Sequence, residues 1–160
     1  MRQGCYSDAM KRQFLSEFEL RLFGEKIGQA LAGAETIELV GDVGAGKTTL
    51  VKAIISGLGS SETVQSPTFT INRVYDLTNN RRFIHYDFYR LSDAGIMKLE
   101  LAEAVADSQT IVAIEWADVV EGVLPADRLT INILPLGEDG REVELLASGK
   151  TAQTVLGKLA

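Results

Sequence analysis

Gly41-Asp42-Val43-Gly44-Ala45-Gly46-Lys47-Thr48-Thr49 has the spacing GxxxxGK[ST] of a phosphate-binding loop. A polyphosphate needs several backbone N–H donors converging on it, and only a tight loop with little side-chain bulk lets the main chain come that close. Gly41, Gly44 and Gly46 supply such a loop, and Asp42, Val43 and Ala45 complete its backbone cradle. Lys47 is expected to reach the β and γ phosphates as a point charge and the Thr48 hydroxyl to ligate Mg²⁺. The helix that follows, from Thr49 onward, should aim its positive end at the phosphates. The flanks fit the motif. Thr36-Ile37-Glu38-Leu39-Val40 reads as an apolar strand, and Leu50, Val51, Ile54, Ile55 and Leu58 recur at helical spacing around Gly57 and Gly59. Strand, loop and helix in that order distinguish the motif from a chance glycine-rich turn.

At 160 residues and 46% hydrophobic, the chain is read as one domain, 1–160, able to bury a core without staples. Cys5 is the only cysteine, which rules out an internal disulfide and a cysteine-based zinc cluster. No 18-residue apolar run is present, and the first residues lack the apolar region of a secretory signal, so a cytoplasmic location with no membrane partner is expected. The net charge of −6 and pI near 4.8 argue against strong unaided nucleic-acid binding, which depends on lysine and arginine neutralising phosphates. Lys11-Arg12 and Arg81-Arg82 read as ordinary solvated charges.

Along the chain, residues 1–13 are polar and aperiodic and are expected to be a loose tail. Ser16-Glu17-Phe18-Glu19 fits the capping box S-x-x-E, opening a helix whose apolar face is Leu20, Phe23, Ile27 and Leu31, with Gly33 as its stop. Pro67 keeps Ser66 extended. The runs Phe69–Leu77 and Arg82–Tyr89, joined by Thr78-Asn79-Asn80-Arg81, predict an antiparallel hairpin and hence a mixed sheet. Alternation in the second run puts Phe83, His85, Asp87 and Tyr89 on one face and Ile84, Tyr86 and Phe88 on the other. A helix is expected from Leu91-Ser92-Asp93 to about Ala106, with Ile96, Leu99 and Ala102 or Glu103 at helical spacing and Glu100 and Glu103 facing water. Thr110-Ile111-Val112-Ala113-Ile114 reads as a buried central strand stopping at Glu115-Trp116. Leu129–Leu136 and Glu142–Ala147 around Gly137-Glu138-Asp139-Gly140 give a second hairpin, and Thr151–Leu159 a closing helix.

A phosphate loop only binds; hydrolysis or transfer also needs a carboxylate near the metal and a group that orients the nucleophile. Glu115, closing an apolar strand, is the candidate metal carboxylate, and Asp87, at the end of another, the candidate for organising water or completing the metal shell. Lone His85 cannot form a metal site and is read as orienting Asp87. Trp116 reads as core or as a nucleotide or partner contact. Thr68 lies where a switch segment would meet the γ phosphate, the alternative being a hydroxyl that only caps the turn.

The glycine-rich loop, Ser66-Pro67-Thr68-Phe69, His85-Tyr86-Asp87-Phe88-Tyr89-Arg90 and Ile114-Glu115-Trp116 together resemble, in order and spacing, the bacterial TsaE (YjeE) family, over about residues 16–149. That family consists of small ATPases required for threonylcarbamoyladenosine formation in tRNA. The resemblance implies a three-layer α/β P-loop NTPase domain with a mixed β-sheet and two β-hairpins. It implies ATP at the first motif, Mg²⁺ held by Thr48 and Glu115, and activity that needs Asp87, with Lys47 and Thr68 beside it. Nucleotide contacts from Glu17 or Glu19 and from Arg141 are also implied. TsaD and TsaB proteins would be the partners, with tRNA reached only through the complex. Residues 1–12 extend beyond the family's usual start. A small-molecule or nucleoside kinase is the main alternative, although no arginine-rich lid follows the 92–106 segment. A GTP switch lacks its N-K-x-D and D-x-x-G signatures. A binding module that uses ATP only to set its conformation differs from a slow ATPase by degree.

Overall fold

The computed structural model describes residues 8–14, 16–67 and 69–160. Its elements are β1 (Asp8–Phe14), α1 (Glu17–Ala30), β2 (Thr36–Val40), α2 (Lys47–Gly57), β3 (Asn72–Asp76) and β4 (Arg82–Asp87). There follow α3 (Met97–Ala106), β5 (Thr110–Glu115), a 3-10 helix (Ala117–Val123), β6 (Leu129–Leu136), β7 (Gly140–Ala147) and α4 (Lys150–Leu159). The seven strands form one sheet in the order β1-β7-β6-β2-β5-β4-β3. β2 is parallel to β5 and β6, and β4 to β5, whereas β3–β4, β6–β7 and β1–β7 are antiparallel. The sheet is mixed, with hairpins at β3–β4 and β6–β7, as the two short turns require.

Helices cover both faces. On one, Leu20, Phe23 and Ile27 of α1, Leu50, Ile54 and Ile55 of α2 and Val155 of α4 pack on Ile37, Leu39, Phe83, Ile111, Ile131 and Val143. On the other, Leu101 and Ala104 of α3 and Val120 of the 3-10 helix pack on Ile84, Tyr86, Val112 and Ile114. All six residues of β5 are buried, so a strand covered on both sides reads as an unbroken apolar run rather than an alternating one. Removing each of its Ile and Val side chains from water contributes about 1.5–3 kcal/mol.

Local signals explain several boundaries. The Ser16 hydroxyl accepts the Glu19 N–H at 3.3 Å and starts α1 as the capping box predicts. Asn79 and Asn80, both with positive φ (62° and 58°), turn the β3–β4 hairpin, a conformation that asparagine tolerates better than most residues.

Four expectations need correction. Residues 8–14 are not loose tail: β1 pairs along its whole length with β7, and Met10 and Phe14 pack against the core while their neighbours stay in water. Residues 1–7 lie outside the described residues. The first hairpin strand starts at Asn72 instead of Phe69, because the Thr70 and Ile71 N–H groups both donate to Pro67 O rather than to a neighbouring strand. The second strand of the later hairpin begins at Gly140, two residues before the apolar pattern does. Finally, α3 begins at Met97 and shows the core a different face: Leu101 and Ala104 are buried, whereas Ile96 and Leu99 are 79% and 69% exposed.

Candidate functional site

Parallel pairing brings three strand ends together. β5 lies between β2 and β4, with Leu39 opposite Glu115 and Glu115 opposite Asp87. The loop leaving β2 and the carboxylates ending β5 and β4 therefore open onto the same side, at the C-terminal ends of the parallel strands, where sheets of this kind place ligands. A cavity of about 410 Å³ lies there. Val43, Gly44, Gly46, Lys47, Thr48 and Thr49 line it together with Asp87, Arg90 and Glu115.

The loop is built by its backbone. Gly46 caps α2 with φ 110°, a conformation open to glycine and strained for other residues, and Leu50 N–H donates to Gly46 O at 2.9 Å. Lys47, only 7% exposed, donates from Nζ to Gly41 O and to Asp42 O, the latter at 3.3 Å. Its ammonium also lies 4.8 Å from the centroid of the Trp116 ring, close enough for a cation–π contact. Trp116 holds a left-handed backbone (φ 56°, ψ 51°) and packs on Tyr89 at 4.9 Å. A non-glycine residue in that region costs on the order of 1–3 kcal/mol, so the surrounding contacts must hold the indole in place.

Both carboxylates are buried. Asp87, 4% exposed, accepts the Tyr89 N–H at 2.9 Å, and its own N–H donates to Ile71 O at 2.8 Å. Glu115, 3% exposed, has Oε1 at 3.4 Å from His85 Nε2, without hydrogen-bond geometry. His85 therefore approaches Glu115, a correction to its expected role of orienting Asp87. Alternation places it there: it sits two residues before Asp87 on the same face, and the β4–β5 register sets it beside Ala113, two before Glu115. A buried carboxylate oxygen with no hydrogen bond is costly, and a divalent cation is a partner that removes the cost. Among the described residues no three His, Cys, Asp or Glu side chains converge as a cage. That donor set suits Mg²⁺, which takes one or two protein oxygens and completes its shell from phosphate and water. Behind the site, Tyr86 is fully buried; burial and then the Glu100 charge push its phenol well above the usual range, so it stays neutral.

The remaining candidates divide around the loop. Gly41 and Asp42 border a neighbouring groove of about 500 Å³ beside Trp116. Ala45 is buried beneath the loop, and its carbonyl accepts from Arg141 Nε at 2.7 Å. Arg141 also lines a third cavity, of about 570 Å³, with Glu17, Phe18, Gly44, Gly46 and Thr49. Glu17 lies on that cavity; Glu19 does not line it. Thr68 lies outside the described residues. Sequence reasoning quoted Arg90 within a motif without giving it a role and treated Ser66 as part of the Ser66–Phe69 segment expected to sense the γ phosphate; both line the first cavity. Phe18, 67% exposed at the rim of the third, was missed because its capping-box position signals only a helix start.

Residues 15–143 match the family described as "Threonylcarbamoyl adenosine biosynthesis protein TsaE". The chain belongs to the TsaE family. A Haemophilus influenzae relative named tRNA threonylcarbamoyladenosine biosynthesis protein TsaE is 32% identical, covering 94% of this chain and 94% of its own. A Bacillus subtilis relative of the same name is 37% identical over 79% of this chain and 78% of its own. The crystal structure of Bacillus subtilis YdiB superposes with a TM-score of 0.77 at 30% identity, covering 95% of this chain and 94% of that one. TsaE membership and the α/β fold thus agree with the resemblance carried by the four motifs. No helix among the described residues is long and apolar enough to cross a membrane.

Proposed function

We propose that this chain is a weak or partner-stimulated Mg²⁺-dependent ATPase that supports threonylcarbamoyladenosine modification of tRNA as a nucleotide-switched subunit acting with the TsaD and TsaB proteins. The pathway follows from family membership and from the shared name of the relatives. The chemistry rests on one observation: Lys47, Thr48, Asp87 and Glu115, from motifs far apart in the chain, line the same cavity.

In this reading the loop amides and Lys47 bind the triphosphate, with Lys47 leaving the carbonyls of Gly41 and Asp42 for phosphate oxygens. Thr48 and Glu115 would hold Mg²⁺, which neutralises charge on the β and γ phosphates when bound. Asp87, oriented by the Tyr89 N–H, accepts the proton of the attacking water. The third cavity takes the base, with the exposed Phe18 ring as a stacking surface and Arg141 bracing the loop through Ala45. A net charge of −6 leaves tRNA to be reached through the partners. A cytoplasmic location belongs to the same proposal.

Calorimetry with Mg-ATP and Mg-GTP tests the nucleotide assignment. Binding of ATP with clearly weaker binding of GTP is expected; equal affinities would contradict an adenine site, because the loop alone reads only phosphates.

A further inference from the structure

We propose that Arg90 reads the terminal phosphate of the nucleotide and that the Phe69 ring holds its guanidinium ready to do so. The inference rests on the ATP reading above and gives this pair a role within it. Arg90 follows β4 shortly after Asp87 and lines the same cavity as Lys47, Thr48 and Glu115. Its Cζ lies 4.5 Å from the centroid of the Phe69 ring. Among the described residues it forms no ion pair with a carboxylate, although Asp87 and Glu115 share its cavity. Stacking on a ring face orients a guanidinium without using any of its five N–H donors, so all remain available for an anion.

The ring is out of place for any purpose of packing. Phe69 is 82% exposed, the most exposed of the large apolar side chains described, and burial gives no reason for it to stand there. The backbone fixes it. Thr70 and Ile71 N–H groups donate to Pro67 O at 3.0 and 2.7 Å, and Phe69 and Thr70 lie in a turn. Ile71 has φ 69°, a left-handed conformation that a β-branched residue rarely adopts, so surrounding structure must hold the turn. Ile71 O accepts the Asp87 N–H at 2.8 Å, which fastens this turn to the strand end carrying Asp87. The platform under Arg90 and the carboxylate that orients water are thus one unit.

Position decides which phosphate is read. The loop amides and Lys47 would hold the inner phosphates from the β2–α2 side, whereas Arg90 follows β4, which β5 separates from β2 in the sheet, and lines the same cavity. A cation there meets the phosphate that extends furthest from the loop. In phosphoryl transfer charge is spread over the terminal oxygens, where an arginine supplied in cis is most effective.

The test is equilibrium binding of Mg-ATP and Mg-ADP to the wild type, Arg90→Ala, Arg90→Lys and Phe69→Ala, with thermal unfolding to confirm that each variant is folded. Arg90→Ala should lower ATP affinity roughly 10-fold to 100-fold, the range of one charge-assisted hydrogen-bonded contact, and change ADP affinity less than about 2-fold. Arg90→Lys should recover part of the ATP preference, since it keeps the charge and loses the fork. Phe69→Ala should erode the same preference in the same direction by a smaller factor. Equal losses for ATP and ADP in Arg90→Ala, or none for either, would overturn the role of Arg90 while leaving the ATP site intact. An unchanged preference in Phe69→Ala would overturn the platform. A wild type that binds neither nucleotide would sink the ATP reading and this inference with it.

Discussion

Replacing Gly28 by alanine puts a methyl group where α1 and α2 leave no room for one. A Cβ there would lie 2.2 Å from Ile54 O and 3.0 Å from the Gly57 Cα, where ordinary contact begins at 3.4 Å. Both neighbours are backbone and cannot swing aside, so α1 must back away from α2 by roughly 1 Å. Overpacking of this kind costs about 1–3 kcal/mol, occasionally more. The 2.2 Å approach to backbone puts Gly28 in the upper part of that range, about 2–3 kcal/mol, and alanine recovers about 1 kcal/mol through its helix propensity, which leaves a net loss of about 1–2 kcal/mol. In a chain of this size each kcal/mol moves Tm by about 2–4 °C, so a fall of roughly 2–8 °C is expected. Gly157 in α4 is the control. No atom lies within 4 Å of its added Cβ, and there the same substitution should raise stability by about 0.5–1 kcal/mol. Thermal unfolding of the two variants beside the wild type, followed by circular dichroism, reads both signs. A Gly28→Ala protein melting at or above the wild type would refute the account of how α1 sits on the helix that begins at Lys47.

The two site carboxylates should separate by assay. Glu115→Ala is expected to weaken the Mg²⁺ dependence of nucleotide binding, whereas Asp87→Ala should leave binding largely intact and remove turnover; the reverse pattern would invert the assignment. Asp127 caps α4, accepting the Thr151 and Ala152 N–H groups at 2.9 and 3.0 Å. Burial alone would raise its pKa, but these bonds from Ala152 and Thr151 outweigh that and lower it. Its folded pKa being depressed, its contribution is present above the ordinary carboxylate range and fades as pH falls through the folded value. Asp127→Ala should therefore cost about 1 kcal/mol at neutral pH, with the gap to wild type narrowing at acid pH. Denaturant unfolding at several pH values checks this, and a constant gap would contradict it.

Local chemistry was legible wherever one residue pattern has one structural use. Thr36–Val40, the glycine-rich loop, the Ser16 cap and the buried run before Glu115 each fall where sequence reasoning puts them. The order of strands was not legible, and it is the order that sets Glu115 beside Asp87 and His85 near Glu115. In α3 the period says helix without choosing a side: Met97, Leu101, Ala104 and Val105 are spaced as well as Ile96 and Leu99, and packing selects the first set. The edge strand β1 has mostly exposed residues, so no apolar pattern announces it; pairing with β7 does what burial does elsewhere. The Phe69–Arg90 contact joins two motifs through a turn whose shape depends on the left-handed Ile71, which sequence gives no reason to expect.

In the proposed switch, nucleotide at the Lys47–Glu115 cavity controls assembly with partner proteins. A nucleotide can bias assembly only if it binds the free and assembled states with different affinity, so ATP and partner must strengthen each other reciprocally. Titrating the TsaD–TsaB pair with this protein, with Mg-ATP and without it, measures that coupling directly. With nucleotide the affinity should be about 5-fold to 150-fold higher. Lys47→Ala should lose the enhancement while remaining folded. An affinity that ignores nucleotide would contradict the switch, even for a protein that binds both ATP and its partners.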